Sequence, residues 1–212
     1  MSDMPLRIDY KTLCSLIRPN SKVLDLGCGN GELLMHLSRH RKVEGTGIEI
    51  SLDRVQAAMK TGLSVIHGDL EEEIQNYQDQ FFDFCILSQT LQELRHPEKV
   101  LLEMLRISKR TLISFYNLAH LRYRLQILFT GRFPKAEDLP YKWLSTNIFF
   151  LSVRDFHDLC HRHGITIHSQ IYLAGERKIR VWPSLRAKIV VLELSKSRPP
   201  STLPESSTPH EL

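Results

Sequence analysis

The sequence predicts an α/β fold in which helices cover both faces of a mostly parallel sheet. Short apolar segments alternate with helical segments from residue 22 to about residue 115, and a glycine-rich turn follows the first apolar segment. Repeated strand–helix alternation implies right-handed crossovers between parallel strands. Strands of such a sheet are apolar along their whole length because both faces are buried, and these segments fit that pattern.

Five strands are predicted in this region, joined by four helices. The strands are residues 22–26, 43–50, 63–67, 82–87 and 111–115. The helices are residues 32–40, 51–59, a short polar segment at 71–77, and 97–107. Leu33, Leu34 and Leu37 have the spacing of one helix face. Ser51 is a candidate N-cap, and Pro97 suits a first helical turn.

The second half of the chain does not continue the regular alternation of strands and helices. Its predicted elements are a helix at 119–129, a loop or lid at 131–150, a helix at 153–163, and strands at 165–173 and 188–194. Gly164 is expected to end the second of these helices. Residues 195–212 hold seven Ser/Thr and four Pro, so we expect a disordered tail that cannot bury enough apolar surface to become ordered. The predicted organisation is one domain at 1–194, with a lid or insertion at about 117–152, followed by this tail.

The amino-acid composition limits the classes of protein to which the chain can belong. The chain has 212 residues, of which 42% are hydrophobic and 25% charged, as is typical of a globular domain. No apolar run reaches the ~18 residues of a membrane helix, and residues 1–10 lack the apolar stretch of a signal peptide. The four cysteines form no C-x-x-C pair. We therefore expect a cytoplasmic protein with reduced thiols, no membrane association and no metal site.

Charge is unevenly distributed along the chain. Residues 1–100 hold 11 Lys/Arg and 15 Asp/Glu, a balance of −4, whereas residues 101–212 hold 17 and 9, a balance of +8. The second half could face an anionic partner, or it could present an ordinary solvated basic surface. Because basic patches interleaved with aromatic residues are sparse, no nucleic-acid partner is expected.

The main functional signal is the segment at residues 25–31, which follows a predicted strand and precedes a predicted helix. It reads D-L-G-C-G-N-G. Glycines permit unusual backbone angles and let a ligand contact the main chain. The G-x-G-x-G spacing differs from the G-x-G-x-x-G of dinucleotide folds. Asp25 lies two residues before the first glycine, where a carboxylate is badly placed for a phosphate but suits a cationic amine.

Two further acidic residues follow the next predicted strands. Glu49 lies 22 residues after Gly27, where a carboxylate accepts hydrogen bonds from ribose hydroxyls. Asp69 follows Gly68 after the third strand, within reach of the amino group of a purine. Because parallel strands end at one edge of the sheet, the three acidic side chains are expected to face one crevice. The predicted ligand is a nucleoside that carries an amino acid.

Candidate catalytic residues are supported by less specific patterns. Gln89 could contact the amino-acid part of such a ligand or polarise a substrate carbonyl, while Ser88 and Thr90 beside it could equally cap a helix. His120 could act as a base, although a packing or surface role is more common for one of ten histidines. Cys28 is expected to pack as a small residue, since nothing predicts an activated thiolate.

These motifs resemble those of the class I S-adenosylmethionine (SAM) methyltransferase superfamily. Residues 25–31 are similar to its first motif and Glu49 to its acidic second motif. Asp69 is similar to its third motif and residues 82–88 to its fourth-strand motif. The resemblance covers roughly residues 10–194. It implies a Rossmann-like fold with a mostly parallel seven-stranded sheet and a terminal antiparallel hairpin, and SAM or S-adenosylhomocysteine as cofactor.

A narrower resemblance is to the MetW family of methionine biosynthesis. The segments that carry it are residues 69–71, 86–92, 117–126, 139–143 and 153–160. The chain departs from the family pattern at Ala119 and Leu121, where Gly and Trp are expected, and at Phe149, where His is usual. These departures all lie in the predicted lid.

The resemblance also implies which residues contact the cofactor and what the protein does. The contact residues are Asp25, Gly27, Cys28, Gly29, Asn30, Gly31, Glu49, Ile50, Gly68, Asp69, Leu70, Ser88 and Gln89. The family is associated with homoserine O-acyltransferase (MetX), so the expected function is that of a SAM-binding protein that activates this enzyme. The alternative is an active small-molecule SAM-dependent methyltransferase.

Overall fold

An eight-stranded sheet organises the protein in this computed structural model, which describes residues 6–132 and 149–196. The strands are β1 (Lys22–Leu26), β2 (Glu44–Glu49), β3 (Ser64–His67), β4 (Phe82–Ser88), β5 (Ser108–Tyr116), β6 (Ile165–Ala174), β7 (Arg177–Lys178) and β8 (Ile189–Lys196). Their order is β3-β2-β1-β4-β5-β8-β6-β7. Neighbouring strands from β3 to β5 pair in parallel, and β8, β6 and β7 add to the edge of β5 with antiparallel pairing.

Eight helices accompany the sheet in the described residues. They are α1 (Ile8–Leu16), α2 (Glu32–Arg41), α3 (Leu52–Met59), α4 (Leu70–Glu73), α5 (Pro97–Ile107), α6 (Leu121–Thr130), α7 (Val153–Arg162) and α8 (Pro183–Arg186). Short 3₁₀ turns occupy Ile74–Asn76 and Leu91–Glu93. α5 begins at Pro97 as predicted, because proline fits the first turn of a helix. α7 begins with a capping box in which Ser152 and Asp155 satisfy each other's backbone amides.

The two faces of the sheet bury two separate apolar layers. α1 and α2 pack on one face, and α5 and α7 pack on the other. The central residues of β4 are apolar because the strand contacts both layers. Phe84 and Ile86 point into the first layer, while Cys85 and Leu87 point into the second. The predicted α/β class with a mostly parallel sheet and a terminal antiparallel hairpin is confirmed.

Some predicted boundaries and counts are wrong. The sheet has eight strands and not seven, because the chain turns at Gly175 and adds the two-residue strand β7 to β6. β8 continues to Lys196, past the predicted start of the tail, since Ser195 pairs with Thr166 of β6. α1 lies in a region for which no helix was predicted. Residues 133–148, most of the predicted loop or lid, and residues 197–212 of the predicted tail lie outside the described residues.

The cysteines and helices agree with the composition. Cys14, Cys28, Cys85 and Cys160 are free and buried, as expected for thiols that pack as small apolar groups. Within the ranges that the structure describes, none of the helices has the length and apolarity needed to cross a membrane.

Phe156 of α7 provides a test of the layer on the α5 side of the sheet. Its ring is fully buried and stacks on that of Phe115, with 5.1 Å between ring centroids. We expect Phe156→Ala to lower the free energy of unfolding by about 3–5 kcal/mol, because it removes a large buried ring and leaves a cavity. Urea denaturation measures this change. Met59→Ala on the exposed side of α3 is the control and should stay within about 0.5 kcal/mol of wild type.

Candidate functional site

A cavity of about 670 Å³ opens at the carboxyl ends of β1 to β4. Its walls include Gly27 and Gly29 after β1, Glu49 at the end of β2, and Asp69 after β3. β1 pairs with both β2 and β4, so the chain winds outward in opposite directions from this point. Ligands of open parallel sheets bind at such a switch point, beyond the carboxyl ends of the strands. The predicted glycine turn and two of the predicted carboxylates therefore meet at one cavity.

Glu49 holds the two loops that form the floor of this cavity. Its Oε2 accepts a hydrogen bond from the backbone N–H of Gly29, and its Oε1 accepts one from the N–H of Ser51, both at 2.9 Å. Ser51 is the N-cap residue of α3, as predicted, but its side chain makes no capping hydrogen bond. Each carboxylate oxygen can accept a second hydrogen bond, so Glu49 keeps acceptor capacity for a ligand hydroxyl.

The three glycines of the turn share one backbone conformation but differ in their surroundings. All three have positive φ, which a side chain would strain. A Cβ on Gly31 would lie 2.4 Å from Leu63, so close packing excludes it. A Cβ on Gly29 would meet nothing within 4 Å, although Gly29 lines the cavity. The space beside Gly29 is therefore left open for a ligand that approaches the backbone.

Cys28 and Asn30 are not among the residues that line the cavity. Cys28 is buried beneath the turn, and its Sγ would lie 2.4 Å from a Cβ on Gly47, so the two residues pack tightly. Burial raises the pKa of the Cys28 thiol, which favours its neutral form. The prediction that Cys28 packs as a small residue is confirmed.

Asp69 and Glu71 organise the wall that follows β3. Asp69 Oδ1 accepts a hydrogen bond from the N–H of Glu71 at 2.9 Å, which makes Asp69 the N-cap of α4. Glu71 Oε1 accepts from the N–H groups of Arg95 and His96, and its Oε2 lies 2.9 Å from His96 Nδ1. Burial alone would raise the pKa of Glu71, but these hydrogen bonds lower it overall. Glu71 therefore connects α4 with the loop before α5.

Asp25 lies near the end of β1 and is 3% exposed. It is not among the residues that line the cavity. Burial raises the pKa of Asp25 to about 7, with the charge of Arg7 opposing the shift and that of Glu49 adding to it. Glu49 and Asp69 both line the cavity, whereas contact of Asp25 with a ligand stays a prediction.

The N-terminal helix supplies lining residues that the sequence analysis missed. Arg7 and Tyr10 line the cavity, with the Arg7 guanidinium 4.1 Å from the centre of the Tyr10 ring. Asp9 is 1% exposed and anchors this helix. Its carboxylate accepts hydrogen bonds from Arg7, Ser88, Gln89 and Ser114, at distances from 2.6 to 3.2 Å. α1 is thereby tied to the ends of β4 and β5.

The two catalytic candidates lie in different surroundings. Gln89 lines the cavity with φ of +58°, and its Nε2 donates to Asp9 at 3.1 Å. Ser88 also lines the cavity, but it bonds to Asp9 and does not cap a helix. His120 is outside the lining set and caps α6, its Nδ1 accepting from the N–H of Arg122 at 3.1 Å. Burial and the charge of Lys188 lower the pKa of His120.

Charges of both signs surround the cavity. Its lining includes three arginines and four carboxylates: Arg7, Arg54, Arg95, Glu49, Asp69, Glu71 and Glu93. Burial raises the pKa of Glu93, and the nearby charge of Arg54 opposes this shift. Ile50 and Leu70 add apolar surface next to these groups. Such a lining suits a ligand that has an apolar ring system and charges of both signs. Of the thirteen predicted contact residues, all except Asp25, Cys28, Asn30 and Gly31 line the cavity.

Solved structures show the class to which this fold belongs. A SAM-dependent methyltransferase from Thermotoga maritima, described as a possible histamine N-methyltransferase, superposes with a TM-score of 0.64 and 20% identity, covering 89% of this chain and 88% of that one. A TehB-like SAM-dependent methyltransferase from Corynebacterium glutamicum gives 0.63 and 17%, covering 92% and 90%. The protein therefore has the Rossmann-like fold of SAM-dependent methyltransferases.

A family comparison identifies the chain more narrowly than its fold does. The model of the family described as methionine biosynthesis protein MetW matches residues 7–194, and the chain belongs to this family. A relative from Rhodopirellula baltica, the bifunctional methionine biosynthesis protein MetXA/MetW, is 31% identical over 192 residues, which is 86% of this chain and 31% of that protein. This chain spans about a third of the relative's length. The resemblance drawn from the motifs is confirmed.

Asp25 provides a test of the site that needs no ligand. Its pKa is 3.8 in an ordinary setting and about 7 when buried here, so the folded protein holds a proton that the unfolded chain releases between these values. Wild-type stability should therefore fall as pH rises through this window, by up to about 1.4 kcal/mol per pH unit. Asp25→Asn, which mimics the protonated form, should lack this loss.

Urea denaturation of both proteins at several pH values measures the difference. The free energy of unfolding of Asp25→Asn minus that of wild type is expected to grow as pH rises from 3.8 to about 7 and to level off above it. If the free energies of unfolding of the two proteins change with pH in parallel across this range, a buried, protonated Asp25 is contradicted.

Proposed function

We propose that the cavity binds SAM or S-adenosylhomocysteine and that the protein acts with homoserine O-acyltransferase as its activating partner in methionine synthesis. The observation that carries the partner is the relative from Rhodopirellula baltica, whose name joins MetXA and MetW in one polypeptide. The part of that relative outside the match is about two thirds of its length, which leaves room for a second protein unit.

The residues of the cavity fit a nucleoside that carries an amino acid. Glu49 has acceptor capacity for ribose hydroxyls at the end of β2. The open space at Gly29 admits a ligand against the backbone, and Ile50 and Leu70 offer apolar surface to a purine ring. Arg7 lines the cavity and supplies a guanidinium that suits the carboxyl group of the amino acid.

Methyl transfer by this chain is the second candidate function. Norajmaline N-methyltransferase from Rauvolfia serpentina is 27% identical over 95 residues, which is 41% of this chain and 32% of that enzyme. SAM would supply the methyl group, and the acceptor would need alignment and in many cases a base. Asp9 and His120, two groups that could act as bases, are engaged as a helix anchor and a helix cap. This engagement favours the activating role.

Glu49 is the residue whose replacement tests the ligand assignment. We expect Glu49→Gln to weaken the binding of SAM and of S-adenosylhomocysteine by about 1–3 kcal/mol, because it removes a charged acceptor from the ribose position. Isothermal titration calorimetry measures both affinities. Glu44→Gln, at the opposite and exposed end of β2, is the matched control and should leave them unchanged. Equal affinities for all three proteins would contradict the assignment.

The partner is tested with purified homoserine O-acyltransferase from the same organism. We expect the two proteins to co-purify and the acyltransferase rate with homoserine to rise several-fold when this protein is added. Release of S-adenosylhomocysteine in the same reaction reports methyl transfer, the second candidate. An acyltransferase whose rate does not change in the presence of this protein would contradict the activating role.

A further inference from the structure

Exposed apolar side chains are concentrated on one part of the protein. Among the described residues fourteen large apolar side chains are exposed, and nine of them belong to α6 or to two short segments near its start. They are Leu121, Leu125, Ile127, Leu128 and Phe129 on α6, Phe149 and Phe150 in a first segment, and Val181 and Trp182 in a second. Large exposed apolar patches mark interaction sites, because apolar surface left in water is unfavourable.

Hydrogen bonds place both short segments next to the residues that precede α6. The N–H of Leu118 donates to the carbonyl oxygen of Leu151 at 3.1 Å, directly after the first segment. The side-chain amide of Asn117 donates to the carbonyl oxygen of Ser184 at 2.9 Å, two residues after the second segment. Both segments therefore adjoin the turn that leads into α6.

Most side chains of α6 are exposed in the described part of the chain. Tyr123 is the one buried residue among its ten, and Leu128 and Phe129 are 73% and 79% exposed. A helix of this length is marginal in water on its own, and helices in proteins are stabilised mainly by packing of an apolar face. A surface that covers Leu128 and Phe129 would supply this packing.

Basic residues predominate on α6 and after the second segment. Residues 117–132 and 177–188 contain eight Lys/Arg and no Asp/Glu. The complementary surface is therefore an apolar groove with an acidic rim. A nucleic acid would place its phosphates against cations, whereas this patch also exposes large aromatic side chains, with Phe129 79% and Trp182 72% exposed. Aromatic residues with arginines around them are typical of protein–protein interfaces.

We infer that this patch, which we name the α6 surface, is where the homoserine O-acyltransferase docks. The α6 surface consists of α6 with residues 149–150 and 181–182. The inference rests on the proposed function, since it takes the acyltransferase as partner. It adds the place of contact and requires an apolar, acidic-rimmed groove on the acyltransferase.

The double variant Leu128→Ser/Phe129→Ser tests this assignment in the full chain. Its affinity for the purified acyltransferase should fall at least tenfold, because truncation of central apolar residues removes most of the binding energy of an interface. Its affinity for SAM should equal that of wild type. The matched control is Met59→Ser/Leu102→Ser, which changes two exposed apolar residues on α3 and α5 and should leave acyltransferase binding unchanged.

A charge variant provides a second, independent measurement. Arg180 is exposed beside the second segment. We expect Arg180→Glu to slow association with the acyltransferase several-fold at low salt and to have little effect at high salt, because rim charges act mainly on the rate of encounter. An association rate that is unchanged at low salt would contradict the acidic rim.

Each remaining outcome separates this inference from the proposed function. If wild type itself does not bind the acyltransferase, the proposed function is wrong. If wild type binds and the double variant binds equally well, the inference is wrong and the proposed function stands. The inference is also overturned if the double variant loses self-association of the chain, or loses several degrees of melting temperature, while acyltransferase binding is unchanged. A second copy or another part of the same chain would then cover the α6 surface.

Discussion

The cavity depends on one carboxylate that joins two loops. Glu49 accepts the N–H groups of Gly29 and Ser51 with its two oxygens, and the preceding carbonyl, that of Ile48, accepts the N–H groups of Gly27 and Cys28. A buried backbone N–H without an acceptor costs about 1–3 kcal/mol, so these bonds fix the glycine turn against the end of β2. β2 is held on both sides by β1 and β3, and the position of the turn follows from that of the strand.

Tight packing beneath the turn reinforces this constraint. Gly31 leaves room for Leu63, and Gly47 leaves room for the Cys28 thiol, so any side chain at either glycine would collide with its neighbour. Gly29 differs, since its Cβ position is open and borders the cavity. The same short sequence therefore specifies a packed underside and an open upper side, which is the shape that a loop needs if it is to hold a ligand against its backbone.

The sequence predicts the parts of the fold that local patterns encode. Apolar runs predict the strands of the parallel sheet, and a proline predicts the limits of α5. The spacing after the glycines predicts that Glu49 lines the cavity. The docking of α1 was missed because Asp9 is tied to Ser88 and Ser114, 79 and 105 residues away, and no local pattern records such contacts.

Gln92 connects the cavity with the α6 surface. Its carbonyl oxygen accepts the N–H of Phe149 at 2.9 Å, and its side-chain oxygen accepts the N–H of Tyr116 at 3.0 Å. The residues on either side of this turn, Thr90 and Glu93, line the cavity. Gln92 is 1% exposed, so a buried residue of this turn holds the first segment of the α6 surface beside the cavity wall. If ligand and acyltransferase favour the same position of the wall, each strengthens the binding of the other by the same factor.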